Sequence, residues 1–222
     1  MRELPSPVGR AAYLCYPDET ALVLGSSQSD ALVEVSGARN HRVVRRRSGG
    51  GAVLVAPGAQ VWLDVFIARD DPLFDEDVGR GAHVVGELWR NALGEALGAA
   101  GLEVHRGPNI ATSLSRTACF AGLGPGEVRL GGRKVVGLSQ RRDRRGAWFF
   151  SMVMVRRDHL ELVRMLHLAS DVQVGLERVL EEEVLICEDA SAIERALRAE
   201  LARESRRPTG HAANRDPANS PP

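Results

Sequence analysis

The feature that most constrains the fold is a helical pattern of apolar residues between Asp75 and Ala100. Residues spaced three and four apart lie on one face of a helix, so this segment predicts a long amphipathic helix. Acidic residues at its start favour the positive end of the helix dipole, and Gly101 predicts its end. The apolar face consists of Val78, Ala82, Val85, Trp89, Ala92, Leu93, Ala96 and Leu97.

Short runs of β-branched or apolar residues predict strands elsewhere in the chain. These runs are Ala21–Gly25, Val43–Arg46, Gly51–Val55, Val61–Ala68, Val135–Gln140 and Ala147–Val155. The run at Val61–Ala68 alternates between apolar and other residues, which predicts a half-buried strand. Two further helices are predicted at Asp158–Leu168 and Ser191–Glu204, with an acidic stretch at Glu181–Glu183 between them.

We interpret residues 1–204 as one α/β or α+β domain. Residues 205–222 are poor in apolar side chains and rich in Pro, Asn and Arg, which predicts a disordered tail. The 222 residues of the chain are enough for one large domain with a full hydrophobic core.

Charge and cysteine content exclude several classes of protein. The 29 basic and 29 acidic residues balance, so no overall field favours nucleic acid or a membrane surface. No apolar run is long enough for a membrane span and the N-terminus lacks a signal-peptide pattern, so we expect a cytoplasmic location. Cys15, Cys119 and Cys187 are too scattered for a disulfide framework, and no Cys or His pair has zinc-ligand spacing, so no metal site is predicted.

Lysine is almost absent from the sequence. Lys134 is the single lysine among the 29 basic residues, and the others are arginines. Lysine differs from arginine in its compact ammonium group, its three rotatable donors and a pKa that burial can change. We interpret Lys134 as a position that arginine does not serve.

Two glycine-bearing segments concentrate the candidate chemistry. The first reads RRRSGGGAV from Arg45 to Val53, between two predicted strands. Consecutive glycines allow positive φ and inward-turned N–H groups, and the arginines beside them can hold a phosphate or a carboxylate. A hairpin turn beside a solvated basic strand is the alternative interpretation.

The second segment reads GGRKVVGLSQRR from Gly131 to Arg142. A tight Gly-Gly turn leads into a strand whose early residues include Lys134, and Gly137 is expected to leave room for a ligand above that strand. The arginine-rich segment from Arg141 to Gly146 predicts a solvated hairpin tip. The alternative is a binding patch, for which acidic proteins fit better than nucleic acid because no aromatic residues alternate with the arginines.

Together, RRRSGGGAV and GRKVVGLSQRR resemble the paired motifs of the lipoate–protein ligase and octanoyltransferase family, whose catalytic domain is shared with biotin–protein ligases. The resemblance implies an α/β (α+β), class II synthetase-like domain with a curved mixed sheet flanked by helices. It also implies that the glycine loop wraps an acyl chain and that Lys134 contacts the activated carboxyl end. The substrate-binding residues that it implies are Arg46, Arg47, Ser48, Gly49, Gly50, Gly51, Gly137 and Ser139.

Two chemistries occur in this family, and the sequence leaves both open. A ligase uses ATP and Mg²⁺ to form an acyl-adenylate and passes the lipoyl group to a carrier lysine, and this is the chemistry towards which we lean. An octanoyltransferase uses no cofactor and takes the acyl group from a carrier-protein thioester through a cysteine. The sequence Ala118-Cys119-Phe120 is similar to the cysteine motif of the ligase-like octanoyltransferases, and a buried, inert Cys119 is the alternative.

The resemblance also implies the partners. The acceptor is expected to be a lipoyl domain or a glycine-cleavage H-type carrier protein, and an acyl carrier protein or a separate accessory chain are further candidates. Two segments, Gly58-Ala59-Gln60 and Phe150-Ser151, depart from the family pattern. A non-catalytic protein that binds an acyl group or a nucleotide is therefore a further alternative.

Overall fold

The computed structural model describes residues 7–206. Within that range the strands are β1 Arg10–Cys15, β2 Ala21–Leu24, β3 Arg42–Arg45, β4 Val53–Val55, β5 Gln60–Ala68, β6 Leu102–Val104, β7 Val128–Leu130, β8 Arg133–Asp143 and β9 Gly146–Met154. The helices are α1 Val35–Ala38, α2 Val78–Leu97, α3 His159–Arg164, α4 Ser170–Glu183 and α5 Ala190–Ser205. The predicted α/β class, with a sheet flanked by helices, is confirmed, although the large sheet is antiparallel and only the small sheet is mixed.

A six-stranded antiparallel sheet forms the centre of the fold, in the order β1-β5-β9-β8-β7-β6. Helices α2 and α5 pack on one face of this sheet, where the fully buried Trp89 belongs to the largest hydrophobic cluster. The Trp89 Nε1 donates to Ser151 Oγ at 2.8 Å, and that hydroxyl donates to the Leu63 carbonyl. These bonds satisfy two buried polar groups and fix α2 to the sheet.

A three-stranded sheet of order β3-β2-β4 covers the opposite face, together with α3 and α4. Strand β2 pairs in parallel with β3 and antiparallel with β4. The glycine loop between β3 and β4 therefore joins two strands on opposite sides of β2. The alternative of a simple hairpin turn is thus wrong.

A β-bulge in β8 determines where Lys134 points. Val128 pairs with Val136 whereas Arg129 pairs with Lys134, so Val135 is an extra residue in β8. Val135 and Val136 both belong to the core cluster on the α2 side. In a regular strand, residues three positions apart point to opposite faces of the sheet. The extra residue therefore places Lys134 on the same face as Gly137, away from α2.

Five elements were not predicted from the sequence: β1, α1, β6, β7 and α4. The acidic stretch Glu181–Glu183 forms the last turn of α4. Ser205, predicted as the start of the tail, is the last residue of α5, and residues 207–222 of that predicted tail lie outside the described residues. Within residues 7–206, no helix combines the length and the apolarity that a bilayer crossing requires.

Candidate active site

A narrow apolar cavity of about 200 Å³ lies between the two sheets. Valines from the small sheet face aromatic and aliphatic side chains from the large sheet across it. Its lining consists of Val23, Val44, Arg46, Arg47, Ser48, Val53, Val55, Trp62, Asp64, Cys119, Phe120, Gly137, Leu138, Ser139, Phe150 and Met152. A cavity of this width and polarity suits an alkyl chain.

A wider and more polar groove of about 1180 Å³ adjoins the apolar cavity. The three glycines line it, together with Lys134, Glu127, Arg116 and His167. Cys119, Leu138 and Ser139 line both spaces. The two spaces therefore meet at these three residues, and a bound chain would present its head group there.

The glycine loop is held by close backbone contacts. A Cβ on Gly25 would lie 1.8 Å from the Gly50 carbonyl oxygen, and a Cβ on Gly51 would lie 2.5 Å from the backbone of Ala118. Gly50 has a φ of 99°, a conformation that favours glycine. The N–H groups of Gly49, Gly50 and Gly51 donate to no acceptor within residues 7–206, so they are available to an anionic or carbonyl ligand.

The three arginines before the glycines have different environments. Arg45 bonds to the Gly25 and Gln28 carbonyls and to the Asp30 carboxylate, and so fixes the end of β2. Arg46 Nη2 donates to the carbonyls of Gly49 at 2.8 Å and Gly51 at 3.0 Å. Arg47 is exposed at the apolar cavity and makes no hydrogen bond or ion pair within the described part of the chain. Arg47 is therefore the arginine of this segment that is free to meet a ligand.

The two motifs meet at a pair of serines. Ser48 Oγ lies 3.0 Å from Ser139 Oγ, and Ser48 is 2% exposed. This hydrogen bond joins the glycine loop to β8 where the cavity opens to the groove. The structure thus brings the predicted residues of the first motif and Ser139 to one site.

Lys134 is buried and its three donors are all used. Its Nζ donates to the carbonyls of Cys119 and Gly122, each at 2.9 Å, and lies 2.8 Å from Glu127 Oε2. It also lies 5.0 Å from the centre of the Phe120 ring. The ammonium group therefore holds the segment that carries Cys119, and a substrate must replace one of these acceptors to contact it.

Glu127 is a site residue that the sequence analysis missed. Its carboxylate accepts hydrogen bonds from the N–H groups of Gly124 at 2.7 Å and Leu138 at 2.9 Å, in addition to its ion pair with Lys134. The side chain is 4% exposed, so its charge depends on these partners. An acidic residue just before the Gly-Gly turn was the available signal, but nothing in the sequence paired it with Lys134.

Cys119 lies where the cavity meets the groove. Its Sγ is 3.8 Å from Arg46 Nη2, so a guanidinium group contacts the sulfur. Lys134 Nζ donates to the carbonyl oxygen of Cys119, not to its sulfur. The other two thiols are less reactive: burial raises the pKa of Cys15 to about 12 and that of Cys187 to about 11.

Gly137 lines the apolar cavity, but the space above it is not open. A Cβ at this position would lie 2.8 Å from the ring of Phe120. The expectation that Gly137 leaves room for a ligand is therefore corrected: it leaves room for Phe120, which in turn forms the wall of the cavity.

Asp64 is a second residue that the sequence analysis missed. It lies in the lining of the apolar cavity, and its Oδ1 accepts a 2.6 Å hydrogen bond from Trp62 Nε1. Burial raises the pKa of the Asp64 carboxyl to about 6, against the opposing effect of hydrogen bonds from Trp62 and Cys15.

The two segments that depart from the family pattern lie at different distances from the candidate site. Gln60 begins β5, and its Oε1 accepts from the Ala56 N–H at 3.4 Å, outside the lining of both spaces. Phe150 forms part of the cavity wall, and Ser151 faces α2 instead. The change at Phe150 therefore alters the cavity, whereas Gln60 supports a turn.

Comparison with known families gives one match. The model of the family described as Lipoyl protein ligase A/B catalytic domain matches residues 2–182. No curated protein sequence matches the chain.

Solved structures share this fold at low sequence identity. A bipartite lipoate protein ligase from Thermoplasma acidophilum, studied with its E2 lipoyl domain, has 16% identity and a TM-score of 0.62 over 87% of this chain and 70% of its own. P. falciparum LipL1 in complex with lipoate has 12% identity and a TM-score of 0.61, with 93% of this chain and 51% of that chain covered. A lipoate-protein ligase A bound with ATP has 16% identity and a TM-score of 0.54, with 87% and 82% covered.

Proposed function

Because this chain belongs to the lipoyl protein ligase A/B catalytic domain family, we propose that it attaches a lipoyl or octanoyl group to a lysine of a lipoyl carrier domain. The observation that carries this proposal is the junction of a narrow apolar cavity and a wide polar groove at Cys119, Leu138 and Ser139. The acyl chain would occupy the cavity and the carrier lysine would approach through the groove. The lipoyl domain studied with the Thermoplasma ligase supports this class of acceptor.

The ligase route is the first candidate for activating the acyl carboxyl group. An ATP-bound ligase of the same fold supports it. The free N–H groups of the glycine loop and the exposed Arg116 in the groove fit the phosphate groups of a nucleotide. A carboxylate oxygen of the acyl group would attack the α-phosphorus of ATP and displace pyrophosphate. The carrier lysine would then attack the acyl carbon of the adenylate, and AMP would leave.

The groove offers no free carboxylate of its own for Mg²⁺. Glu127 is the acidic residue in its lining, and both its oxygens are already bonded. Within residues 7–206, no group of three His, Cys, Asp or Glu side chains could hold a metal ion. We therefore propose that Mg²⁺ arrives with the nucleotide phosphates, which bind it through their own oxygens.

The thioester route is the second candidate, and the position of Cys119 favours it. Its sulfur lies at the junction of the cavity and the groove, 3.8 Å from the Arg46 guanidinium. The thiolate would attack the carbonyl carbon of an octanoyl thioester, and the carrier-protein thiol would leave. The carrier-domain lysine would then attack the Cys119 thioester and form the amide.

One experiment separates the routes. Intact-mass measurement of an isolated lipoyl domain, after incubation with this protein, lipoate, ATP and Mg²⁺, should show one added lipoyl group, and a lipoyl domain without its acceptor lysine should show none. Incubation with octanoyl acyl carrier protein without ATP tests the thioester route through an adduct on this chain. Cys119→Ser should abolish that adduct and leave the ATP-dependent reaction nearly unchanged. Absence of any modified lipoyl domain would favour the non-catalytic alternative.

A further inference from the structure

Asp64 is the acidic residue in the lining of the apolar cavity, and the acyl-transfer chemistry does not use it. Its neighbours on the large sheet are Trp62 and Phe150, and valines of the small sheet line the same cavity. A carboxyl group is costly in such surroundings unless it meets a hydrogen-bonding partner. A carboxyl group in a cavity for an alkyl chain therefore favours a ligand with a hydrogen-bonding group at this position.

The sheet register places Asp64 at the far end of the cavity. Ser139 pairs with Phe150, and Phe150 pairs with Asp64, so these residues form one row across β8, β9 and β5. Two strand spacings of about 4.8 Å separate Asp64 from Ser139 at the junction, or roughly 10 Å. An extended chain of eight carbons spans about 9 Å, given carbon–carbon bonds of about 1.5 Å. A chain whose carboxyl end lies at Ser139 thus ends beside Asp64.

The hydrogen bonds of Asp64 leave part of its carboxyl group free for a ligand. Oδ1 accepts from Trp62 Nε1, whereas the nearby Cys15 thiol donates to the Tyr13 carbonyl at 3.7 Å. No cation forms an ion pair with Asp64 within residues 7–206, and Arg46 and Arg47, the cations of the cavity lining, belong to the glycine segment beyond β3. The remaining lone pairs of the carboxyl oxygens are therefore available to a ligand in the cavity.

We propose that Asp64 selects acyl chains whose far end carries a hydrogen-bonding group, such as the sulfur-bearing end of a lipoyl chain, over a plain octanoyl chain. A neutral carboxyl donates its O–H to a weak sulfur acceptor, and an ionised carboxylate accepts from a thiol. A terminal methyl group in the same place excludes solvent from the carboxyl and offers it no hydrogen bond, which leaves Asp64 unsatisfied. This selection rests on the proposed function, since it assigns the chain that the cavity takes.

The test compares lipoate with octanoate, which share a carboxyl head and a main chain of eight carbons. Calorimetric titration of the wild-type protein should show lipoate binding about tenfold more tightly. Asp64→Leu should bring the ratio of the two affinities close to one, chiefly by strengthening octanoate binding. Asp64→Asn is the matched control: it keeps an acceptor for Trp62 and a polar group in the cavity, so it should keep most of the preference.

A second measurement requires no variant. The wild-type protein should bind 8-hydroxyoctanoate more tightly than octanoate, because the added hydroxyl reaches Asp64. Equal affinities of the wild-type protein for all three acids, or an unchanged lipoate preference in a folded Asp64→Leu protein, would overturn this selection and leave the proposed function intact. Failure to bind any of the three acids, combined with an unmodified lipoyl domain, would overturn both.

Discussion

The Lys134 ammonium lies 2.8 Å from the Glu127 carboxylate, and both side chains are buried. This ion pair joins the strand of the second motif to the segment before it, and two carbonyls complete the ammonium's hydrogen bonds. Lys134 therefore combines a structural role with any contact it makes to a substrate. The compactness of its ammonium explains why arginine does not replace it: a larger guanidinium group would meet the Phe120 ring, 5.0 Å from Nζ.

Removal of the Lys134 charge should destabilise the protein strongly. Lys134→Met leaves the Glu127 carboxylate buried without its cation, which costs about 3–5 kcal/mol in the free energy of unfolding. The double variant Lys134→Met with Glu127→Gln removes both charges and should recover much of that loss, as measured by urea denaturation. Acyl transfer should stay low in the double variant. Recovery of transfer together with stability would show that Lys134 has a structural role alone.

Neighbouring glycines of the loop should respond differently to alanine. At Gly50 the φ of 99° and a Cβ 2.6 Å from Arg46 Nη2 make Gly50→Ala strained, with an expected loss of about 1–3 kcal/mol and of acyl-ligand affinity. A Cβ at Gly49 would meet no atom within 4 Å, so Gly49→Ala is the matched control and should fold normally. Urea denaturation and calorimetric titration check the pair. Equal effects at the two positions would contradict the loop geometry.

Alkylation should distinguish the three cysteines. At pH 8, pKa values of about 12 for Cys15 and about 11 for Cys187 leave these thiols almost fully protonated and slow to react. Cys119 is accessible from both the cavity and the groove, and should be labelled first by iodoacetamide. Peptide mapping measures the order, and Cys119→Ala should remove the fast phase. Faster labelling of Cys15 would argue against this thiol environment.

The stability of an Asp64→Asn protein relative to wild type should depend on pH. Burial raises the pKa of the folded carboxyl from 3.8 to about 6, so the wild-type protein loses stability relative to the variant as pH rises from 4 to 6. The difference in unfolding free energy should level off above pH 6 at no more than about 3 kcal/mol in favour of Asn. Urea denaturation of both proteins from pH 4 to pH 8 measures it. A difference that does not change with pH would contradict the buried carboxyl.

The parts of the fold that the sequence predicted are those with a local signal. Helix α2 and the strands on either side of the glycine loop follow from periodicity and from glycine placement. Strands β6 and β7 have three residues each, too few for a pattern of period two to be recognised. Helix α4 buries only Leu176 and Leu180, so its apolar face is narrow and its charged residues dominate the sequence.

The candidate site was predicted where its residues lie within the two motifs or in the segment Ala118-Cys119-Phe120. Asp64 was hidden by the alternation of β5, because a polar residue in a half-buried strand normally faces solvent, whereas here that face is covered by the small sheet. The pairing of Lys134 with Glu127 depends on the bulge at Val135, which a regular strand pattern does not reveal. Contacts between distant segments, rather than local preference, complete this site.

The cavity between the sheets makes the proposed substrate a removable part of the protein interior. Valines of the small sheet face Trp62, Phe150 and Met152 across it, as core residues face one another elsewhere in the fold. An alkyl chain seated there would close a continuous apolar layer from one sheet to the other. Since a ligand that binds only the folded state adds to its stability, resistance of this protein to heat and proteolysis would rise and fall with the supply of acyl groups in its surroundings.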